Sequence, residues 1–329
     1  MVKVLIDYQS PIGHVGIINF YVKHFYSNFD EILINKDISK FVENNKKISF
    51  INIKKNFLLK IYNLKKIFEK YKNSKNVKIF MLSYEPDVIF FLGKITNLKN
   101  YEIFLLEHDN LNIKKKIRLF FLLLLSPKFN HLIYIKSAKK YLFGKLKKKK
   151  IFLTSHPLVH DTKYGRRIYN KKKLMKINNK KINILIPTRH HFVKELILKV
   201  ANENSSCQFT VLMKRSNINK GLFLDINNIS IQEKINDQEL IKFDGIYLPL
   251  DDIVYKYRVS AWLYKAILFN KVIIMEPNNL YKFEHVRFPN HIVKYNGKIK
   301  IKKKKIGYFI EKKKYNYRLI HNLKKIMNL

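Results

Sequence analysis

Short apolar runs rich in Val, Ile and Leu recur along the chain, each bounded by polar or turn-forming residues. Val2–Tyr8 opens the series, and Glu31–Ile34, Ile48–Ile53, Val77–Leu82, Tyr101–Leu106 and His131–Ile135 follow. Runs that are apolar throughout predict strands buried on both faces, as in parallel sheets. Between them apolar residues recur at helical spacing, most clearly over Val15–Tyr26 and Asn56–Tyr71. A strand, a Gly-bearing turn and a helix are the opening of a Rossmann-type unit, and the alternation predicts a parallel sheet with helices on both faces.

The pattern changes near Ile151. Ile151–Leu153 reads as a short strand, Ser155-His156-Pro157 breaks it, and a polar, Lys-rich stretch covers Asp161–Lys181. A second cycle starts at Ile182–Pro187. Its further strands are predicted at Gln208–Met213, Ile229–Gln232, Gly245–Leu248 and Val272–Met275. Its helices are predicted at Phe192–Val200, Asp237–Phe243 and Tyr257–Leu268, and the amphipathic run Ile310–Met327 follows. The expected organisation is an N-terminal Rossmann-like domain over 1–155 and a linker or excursion over 156–181. A C-terminal Rossmann-like domain over 182–307 and a terminal helix over 308–329 complete it.

Composition supports two cores: 47% of the 329 residues are hydrophobic, too many for a disordered chain. The single cysteine, Cys207, rules out an internal disulfide and fits a reducing cytoplasm. The N-terminus lacks the apolar stretch of a signal peptide. The most apolar run, Leu119–Leu125, is bounded by Arg118 and Ser126-Pro127, far short of the roughly 20 residues that a membrane span needs. Charge is extreme, with 66 basic against 24 acidic residues and a formal net charge of +42. A polyanionic partner, nucleic acid or an anionic membrane, accounts for it. So does a general bias of the chain toward Lys, Asn, Ile, Phe and Tyr.

In open parallel sheets ligands bind at the carboxyl ends of strands, so the loops after strands are where chemistry is expected. Gly13-His14 follows the first strand, where Gly permits close backbone approach and a helix N-terminus favours anions; a plain tight turn explains the same residues. Glu107-His108-Asp109-Asn110 follows Tyr101–Leu106 and supplies three titratable groups for acid–base work, although Asp109 or Asn110 also suits a helix cap. Pro187-Thr188-Arg189-His190-His191 follows the first strand of the second half. Arg is scarce in this Lys-rich chain, and the Arg189 guanidinium offers a planar fork for phosphate. The His pair has no third ligand at matching spacing, so no metal site is expected. The richest stretch is Asp244–Ile274: a strand, a loop, a polar helix start and an apolar strand. There the amides of Val259 and Ser260 and the Ser hydroxyl suit a diphosphate, and Arg258 adds a charge-assisted fork. The competing reading is an ordinary strand–helix–strand unit whose Ser260 caps its helix.

Asp244–Ile274 resembles the donor-nucleotide segment of GT-B glycosyltransferases, of the glycosyl transferase family 1/4-like kind. Tyr257-Arg258-Val259-Ser260 matches a Tyr-Arg-x-Ser-type loop, and Asn270-Lys271-Val272 partly matches a Gly-Lys-Pro-type turn. Ser155-His156-Pro157 resembles the segment that closes the first domain, and Gly13-His14 the first acceptor-side loop. The resemblance implies an α/β fold of two Rossmann-like domains facing across a cleft. It implies a nucleotide-sugar donor as co-substrate, held by Arg189, Lys214, Tyr257, Arg258, Val259 and Ser260, with no metal and no further cofactor. It implies a saccharide or lipid-linked acceptor near Gly13 and His14, its hydroxyl oriented or deprotonated by His108 or Asp109. The expected reaction is sugar transfer in cell-surface polysaccharide or glycan synthesis, and resemblance to retaining members implies retention at the anomeric carbon.

One position departs from the family. Where many members carry a donor-binding Glu, five residues after the Ser, this chain has Lys265, which cannot accept hydrogen bonds from donor hydroxyls. A different donor, a substitute acceptor such as Glu276, or a catalytically silent sugar-nucleotide binder would each accommodate it. A basic nucleic-acid-binding protein is the reading from another class. It fits the charge and the many aromatic residues, but no helix-turn-helix, zinc-finger or RNP signature is present and the basic residues are spread along the chain. An anionic membrane is the remaining partner. Lys114-Lys115-Lys116-Ile117-Arg118 before Leu119–Leu125 reads either as an interfacial helix or as a buried helix with a basic cap. A cytoplasmic protein, peripheral on the inner membrane, is the expectation.

Overall fold

The computed structural model describes residues 1–10, 14–42, 46–53, 56–107, 110–111, 115–125, 128–136, 138–139, 150–159, 181–188, 194–218, 222–223, 226–236, 239–250, 255, 259–301 and 308–329. The described residues form two compact units. One is built on Met1–Pro157 and Tyr315–Leu329, together with Val259; the other on Leu158–Lys256 and Ser260–Lys314.

The first unit holds β1 (Val2–Asp7), β2 (Glu31–Asn35), β3 (Ile48–Ile51), β4 (Val77–Ser83), β5 (Tyr101–Leu106), β6 (Asn130–Ile133) and β7 (Ile151–Leu153). They pair in the order β3-β2-β1-β4-β5-β6-β7, every pair parallel. Successive side chains point to opposite faces. Val4, Ile6, Ile79, Met81, Ile103 and Leu105 therefore share one face, packed in one core with helices α2 (Phe57–Glu69), α3 (Pro86–Ile95) and α4 (Lys116–Leu125). Phe80 lies on the other face, where its ring meets Tyr21 of α1 (Val15–Phe25). Local signals start these helices: Asn56 accepts the amides of Leu58 and Leu59, and Pro86 stands in the first turn of α3, where its missing N–H costs nothing.

The second unit holds β8 (Ile182–Pro187), β9 (Cys207–Leu212), β10 (Ile229–Gln232), β11 (Gly245–Leu248), β12 (Val272–Met275) and β13 (Ile292–Lys294). Their order is β10-β9-β8-β11-β12-β13, again all parallel. Its helices are α5 (Lys194–Glu203), the single turn α6 (Arg215–Ile218), α7 (Ala261–Leu268) and α8 (Asn279–Arg287). Gly245 is required by close approach: a Cβ there would stand 2.9 Å from Ile301 Cδ1 and 3.1 Å from the Val272 carbonyl. The last helix, α9 (Tyr308–Met327), buries Leu319, Leu323 and Met327. From Tyr315 onward this helix belongs to the first unit, where Tyr315 Oη donates to the His156 carbonyl, and Lys78 Nζ to that of Met327.

The expected α/β class with two Rossmann-like parallel sheets is what the chain adopts. Several elements differ from the pattern reading: the helix expected over Asp237–Phe243 is a 3-10 turn at Glu239–Lys242, and the single turn α6 was not expected. β13 and α8 were not expected, because a three-residue edge strand is too short to show a pattern and α8 carries no apolar stripe; α8 is fixed instead by Asn278, which accepts the Tyr281 amide. The helix expected over Tyr257–Leu268 begins at Ala261, since Ser260 is extended at φ −97°, ψ 125°.

Candidate functional site

Each sheet has a topological switch point, where strand order reverses: between β1 and β4 in the first unit, and between β8 and β11 in the second. Loops leaving such strand pairs diverge and open a crevice at their carboxyl ends, the usual ligand position in this architecture. In the second unit, Ser260 ends the connection that follows β11.

Val259 and Ser260 are both buried, and Ser260 is the N-cap residue of α7. Its side chain makes no capping hydrogen bond, so capping is not what its hydroxyl does in this structure. The helix start therefore keeps amides that a bound anion can satisfy. Lys214 is exposed just past β9, two strand spacings from β11, roughly 10 Å. Lys265, on α7, stacks its ammonium 5.2 Å from the Trp262 ring centroid. Glu276 follows β12 and accepts a 3.2 Å bond from Tyr247 Oη. Burial and the Glu276 carboxylate push the Tyr247 phenol well above its ordinary range, which keeps it a donor. At the end of α7, Asn270 adopts φ 57°. The Lys271 and Asn270 amides return to the Ala266 and Ile267 carbonyls, closing the helix in a left-handed cap of the kind that Gly most often fills. The Asn270-Lys271 turn therefore does in backbone terms what a Gly-Lys turn does.

In the first unit, His14 is half-buried at the N-cap of α1 and makes no capping hydrogen bond. A bonded cluster stands at the same edge of this sheet. Tyr84 and Glu107 are the first residues past β4 and β5, both buried, and Tyr84 Oη donates to Glu107 Oε1. His131, on β6 and fully buried, brings Nδ1 to 2.7 Å from the same oxygen; only the Nδ1–H form can donate there. Glu107 Oε2 has no hydrogen-bond partner among the described residues. Burial, reinforced by the neighbouring carboxylate, pushes the Tyr84 phenol well above its usual range. At the end of β1, buried Asp7 accepts the Ser10 amide at 3.0 Å and hydroxyl at 2.7 Å. The edge thus gathers a carboxylate, an imidazole and a phenol in one bonded cluster, which is acid–base equipment.

Gly13, His108, Asp109, Arg189, Tyr257 and Arg258 lie outside the described residues. Of the residues named from sequence, His14 stands at the edge of the first sheet, Lys214 and Ser260 at that of the second, and Val259 is grouped with the first unit. Asp7, Tyr84 and His131 were missed as site residues. Their signals were present: an acid ending an apolar strand, a Tyr directly after one, and a His inside one. A cavity of about 370 Å³ lined by Gly93, Asn97, Lys99, Tyr101, Leu125 and Lys128 opens at the amino end of β5, the edge of the sheet away from this chemistry. Among the described residues no cluster of His, Cys, Asp and Glu is arranged to hold a metal ion. No described helix is long and apolar enough to cross a membrane.

No protein-family model and no curated protein sequence matches the chain. Solved structures do match across its full length. A UDP-N-acetylglucosamine 2-epimerase from Rickettsia bellii aligns at TM-score 0.56 and 11% identity, covering 100% of this chain and 97% of the other. The UDP-GlcNAc 2-epimerase from Neisseria meningitidis, bound to UDP-GlcNAc, aligns at 0.55 and 12%, over 99% and 93%. A glycosyltransferase from Rickettsia africae aligns at 0.53 and 15%, over 99% and 91%. At these identities the likeness is one of fold: two Rossmann-type units, GT-B-like in architecture.

Proposed function

We propose that this chain is a glycosyltransferase that moves a sugar from a nucleotide-activated donor to a saccharide or lipid-linked acceptor. The observation that carries the reading is the position of Ser260. It is buried at an uncapped helix start, on the loop after β11 at the switch point of the second sheet. In this reading the amides of Val259 and Ser260 and the Ser260 hydroxyl hold the diphosphate. Arg189, Lys214, Tyr257 and Arg258 complete the site, and the cations stabilise charge on the leaving group. No metal is needed where fixed cations and a helix end do that work. Lys265 cannot accept from the donor's hydroxyls; Glu276, already at the carboxyl edge, is the substitute acceptor. The first unit takes the acceptor near Gly13 and His14, with His108 or Asp109 orienting or deprotonating its hydroxyl. Cell-surface polysaccharide or glycan synthesis is the setting this reaction fits.

A second reading is chemistry on the nucleotide sugar itself, without transfer. The buried Tyr84–Glu107–His131 cluster favours it, because abstraction and return of a proton at a sugar carbon need such groups. The test is a panel of nucleotide sugars added to the purified chain, read first by thermal stability and then by product analysis. Transfer predicts stabilisation by one donor and release of nucleoside diphosphate that depends on an acceptor. Isomerised nucleotide sugar formed without acceptor selects the second reading. A donor that binds and is never consumed leaves a silent binder. Binding to random DNA at physiological salt, with no donor stabilising the chain, overturns all three. His108→Ala and Asp109→Ala are expected to spare donor affinity and lower turnover; full activity in both refutes the acceptor assignment.

A further inference from the structure

Exposed large hydrophobic side chains are not scattered over this protein. Nine of the thirteen among the described residues belong to α2, α3 and α4, which lie together on one face of the first sheet. From α2 come Phe57, Leu58, Leu59 and Tyr62, with Leu58 72% exposed. From α3 come Phe91 and Ile95. From α4 come Leu124, Ile117 at 73% and Phe120 at 57%. Meanwhile Leu122 and Leu125 of α4 are buried in the core beneath. The Leu119–Leu125 run is therefore two-sided: it anchors the helix and also leaves apolar side chains outside.

The rings join the three helices into one surface. Phe57 meets Phe91 edge-on at 5.7 Å, Phe91 meets Phe121 at 5.8 Å, and Phe121 meets Phe120 at 5.5 Å. A contiguous exposed patch of this kind is uncommon on a monomeric protein and marks an interaction surface. Its rim is positive. Phe57–Glu69, Glu85–Ile95 and Lys115–Leu125 contain seven basic residues and three acidic ones. Two of the acids are paired: Glu85 with Lys60 at 2.6 Å and Arg118 at 3.9 Å, and Glu69 with Lys65 at 3.5 Å. Lys66 and Lys94 lay their ammonium groups over the Tyr62 and Phe90 rings, and Lys115 and Lys116 stand exposed where α4 begins.

We infer that the α2–α3–α4 face docks on an anionic lipid bilayer. Aromatic and aliphatic side chains beside lysines are the chemistry of the interface between headgroups and acyl chains, where apolar insertion and attraction to anionic lipid add. Lysine stems lie along apolar surface with their charges outward. A second copy of this chain is a poor occupant, since it brings the same net charge of +42. No described helix crosses a membrane, so the contact is one of surface seating. The patch reaches the carboxyl edge of the sheet at Glu85, whose amide donates to Tyr8 Oη, next to Asp7. If the proposed transfer function holds, this face presents that edge to a lipid-linked acceptor; the docking itself does not depend on it.

The test is vesicle flotation of the full chain with phosphatidylcholine vesicles, alone or with about 30% phosphatidylglycerol. Wild type is expected to float with the anionic vesicles and to be retained in part at about 0.5 M NaCl, because inserted side chains are not screened. The triple variant Leu58→Gln, Ile117→Gln, Phe120→Gln changes only exposed positions and is expected to keep its melting temperature. It should lose binding by on the order of tenfold or more. Lys115→Gln with Lys116→Gln should weaken binding chiefly at low salt. Binding that is equal in wild type and triple variant, or abolished entirely by salt, refutes the assignment, because charge elsewhere then suffices. So does a wild type that ignores vesicles and is a dimer which the triple variant dissolves, since a second copy then covers the face. Nucleotide-sugar binding is measured separately in solution. Patch-dependent flotation without donor binding sinks the transfer function alone, and donor binding without flotation sinks the docking alone.

Discussion

At the carboxyl edge of the first sheet, Tyr84, Glu107 and His131 are buried and bonded to one another, and Asp7 is bonded to Ser10. At the same edge of the second sheet Lys214 is exposed and Ser260 leaves its helix uncapped. The architectures match strand for strand around their switch points, yet the chemistry differs. One edge holds proton-transfer groups in a fixed network. The other has an exposed lysine and a helix start that its own N-cap side chain does not close. A bonded network rigidifies its unit and makes its members structural as well as chemical. An open helix start contributes little to stability until an anion arrives. Mutations at the two edges should therefore move different observables.

The largest effect is expected at Glu107. Glu107→Ala removes the shared acceptor of two buried groups, and should destabilise the chain by about 2–6 kcal/mol, the scale for leaving two buried donors without a partner. Thermal unfolding checks it, and Glu107→Gln should lose less because it keeps one acceptor oxygen. An unchanged melting temperature in Glu107→Ala would break the contrast between the edges. Opposite behaviour is expected in the second unit. Arg258→Ala should weaken nucleoside diphosphate binding by about 1.5–3 kcal/mol, and Ser260→Ala by about 0.5–1.5 kcal/mol, both with melting temperature nearly unchanged. Calorimetric titration with a nucleoside diphosphate separates affinity from stability; a stability loss without an affinity loss would mean that Ser260 is structural.

Lys271 sharpens the comparison from the amino side of β12. Its ammonium donates to the Ile241 and Phe243 carbonyls, and burial lowers its pKa to about 8. The unfolded chain keeps an ordinary lysine near 10.4, so between these values the unfolded state binds more protons, and stability rises with pH. Wild type should gain on the order of 1–3 kcal/mol relative to Lys271→Met between pH 8 and 10. Taking the difference cancels the buried tyrosines, which titrate in both proteins. A difference that is flat with pH would place Lys271 in water. The smallest effect belongs to Asn270 at φ 57°. Asn270→Ala should cost about 1 kcal/mol and Asn270→Gly nothing or a slight gain; equal melting temperatures for the two variants would remove the strain argument.

The fold was readable because parallel strands are buried on both faces and so appear as unbroken apolar runs. Tyr101–Leu106, Ile182–Pro187 and Gly245–Leu248 are such runs, and the structure has strands with those bounds. β13 and α8 escaped because their order comes from neighbours and a cap, which a periodicity does not record. The Asn270 turn is a left-handed helix cap filled by a residue other than Gly, which a search for Gly does not find. Strand ends could be read, and they singled out the positions of Ser260 and the Glu107 stretch as candidates. What could not be read was the pairing of Tyr84, Glu107 and His131: three residues far apart in sequence meet only because β4, β5 and β6 are neighbours. Nor did the pattern of Leu119–Leu125 reveal which of its residues face outward, since a run of leucines has no polar side to mark it.

Whether the start of α7 holds a diphosphate is tested most directly by a crystal structure of the chain with a nucleoside diphosphate. Phosphate oxygens are expected within hydrogen-bond reach of the Val259 and Ser260 amides and the Ser260 hydroxyl, with Arg258 alongside. A nucleotide bound elsewhere, with Ser260 untouched, would contradict it.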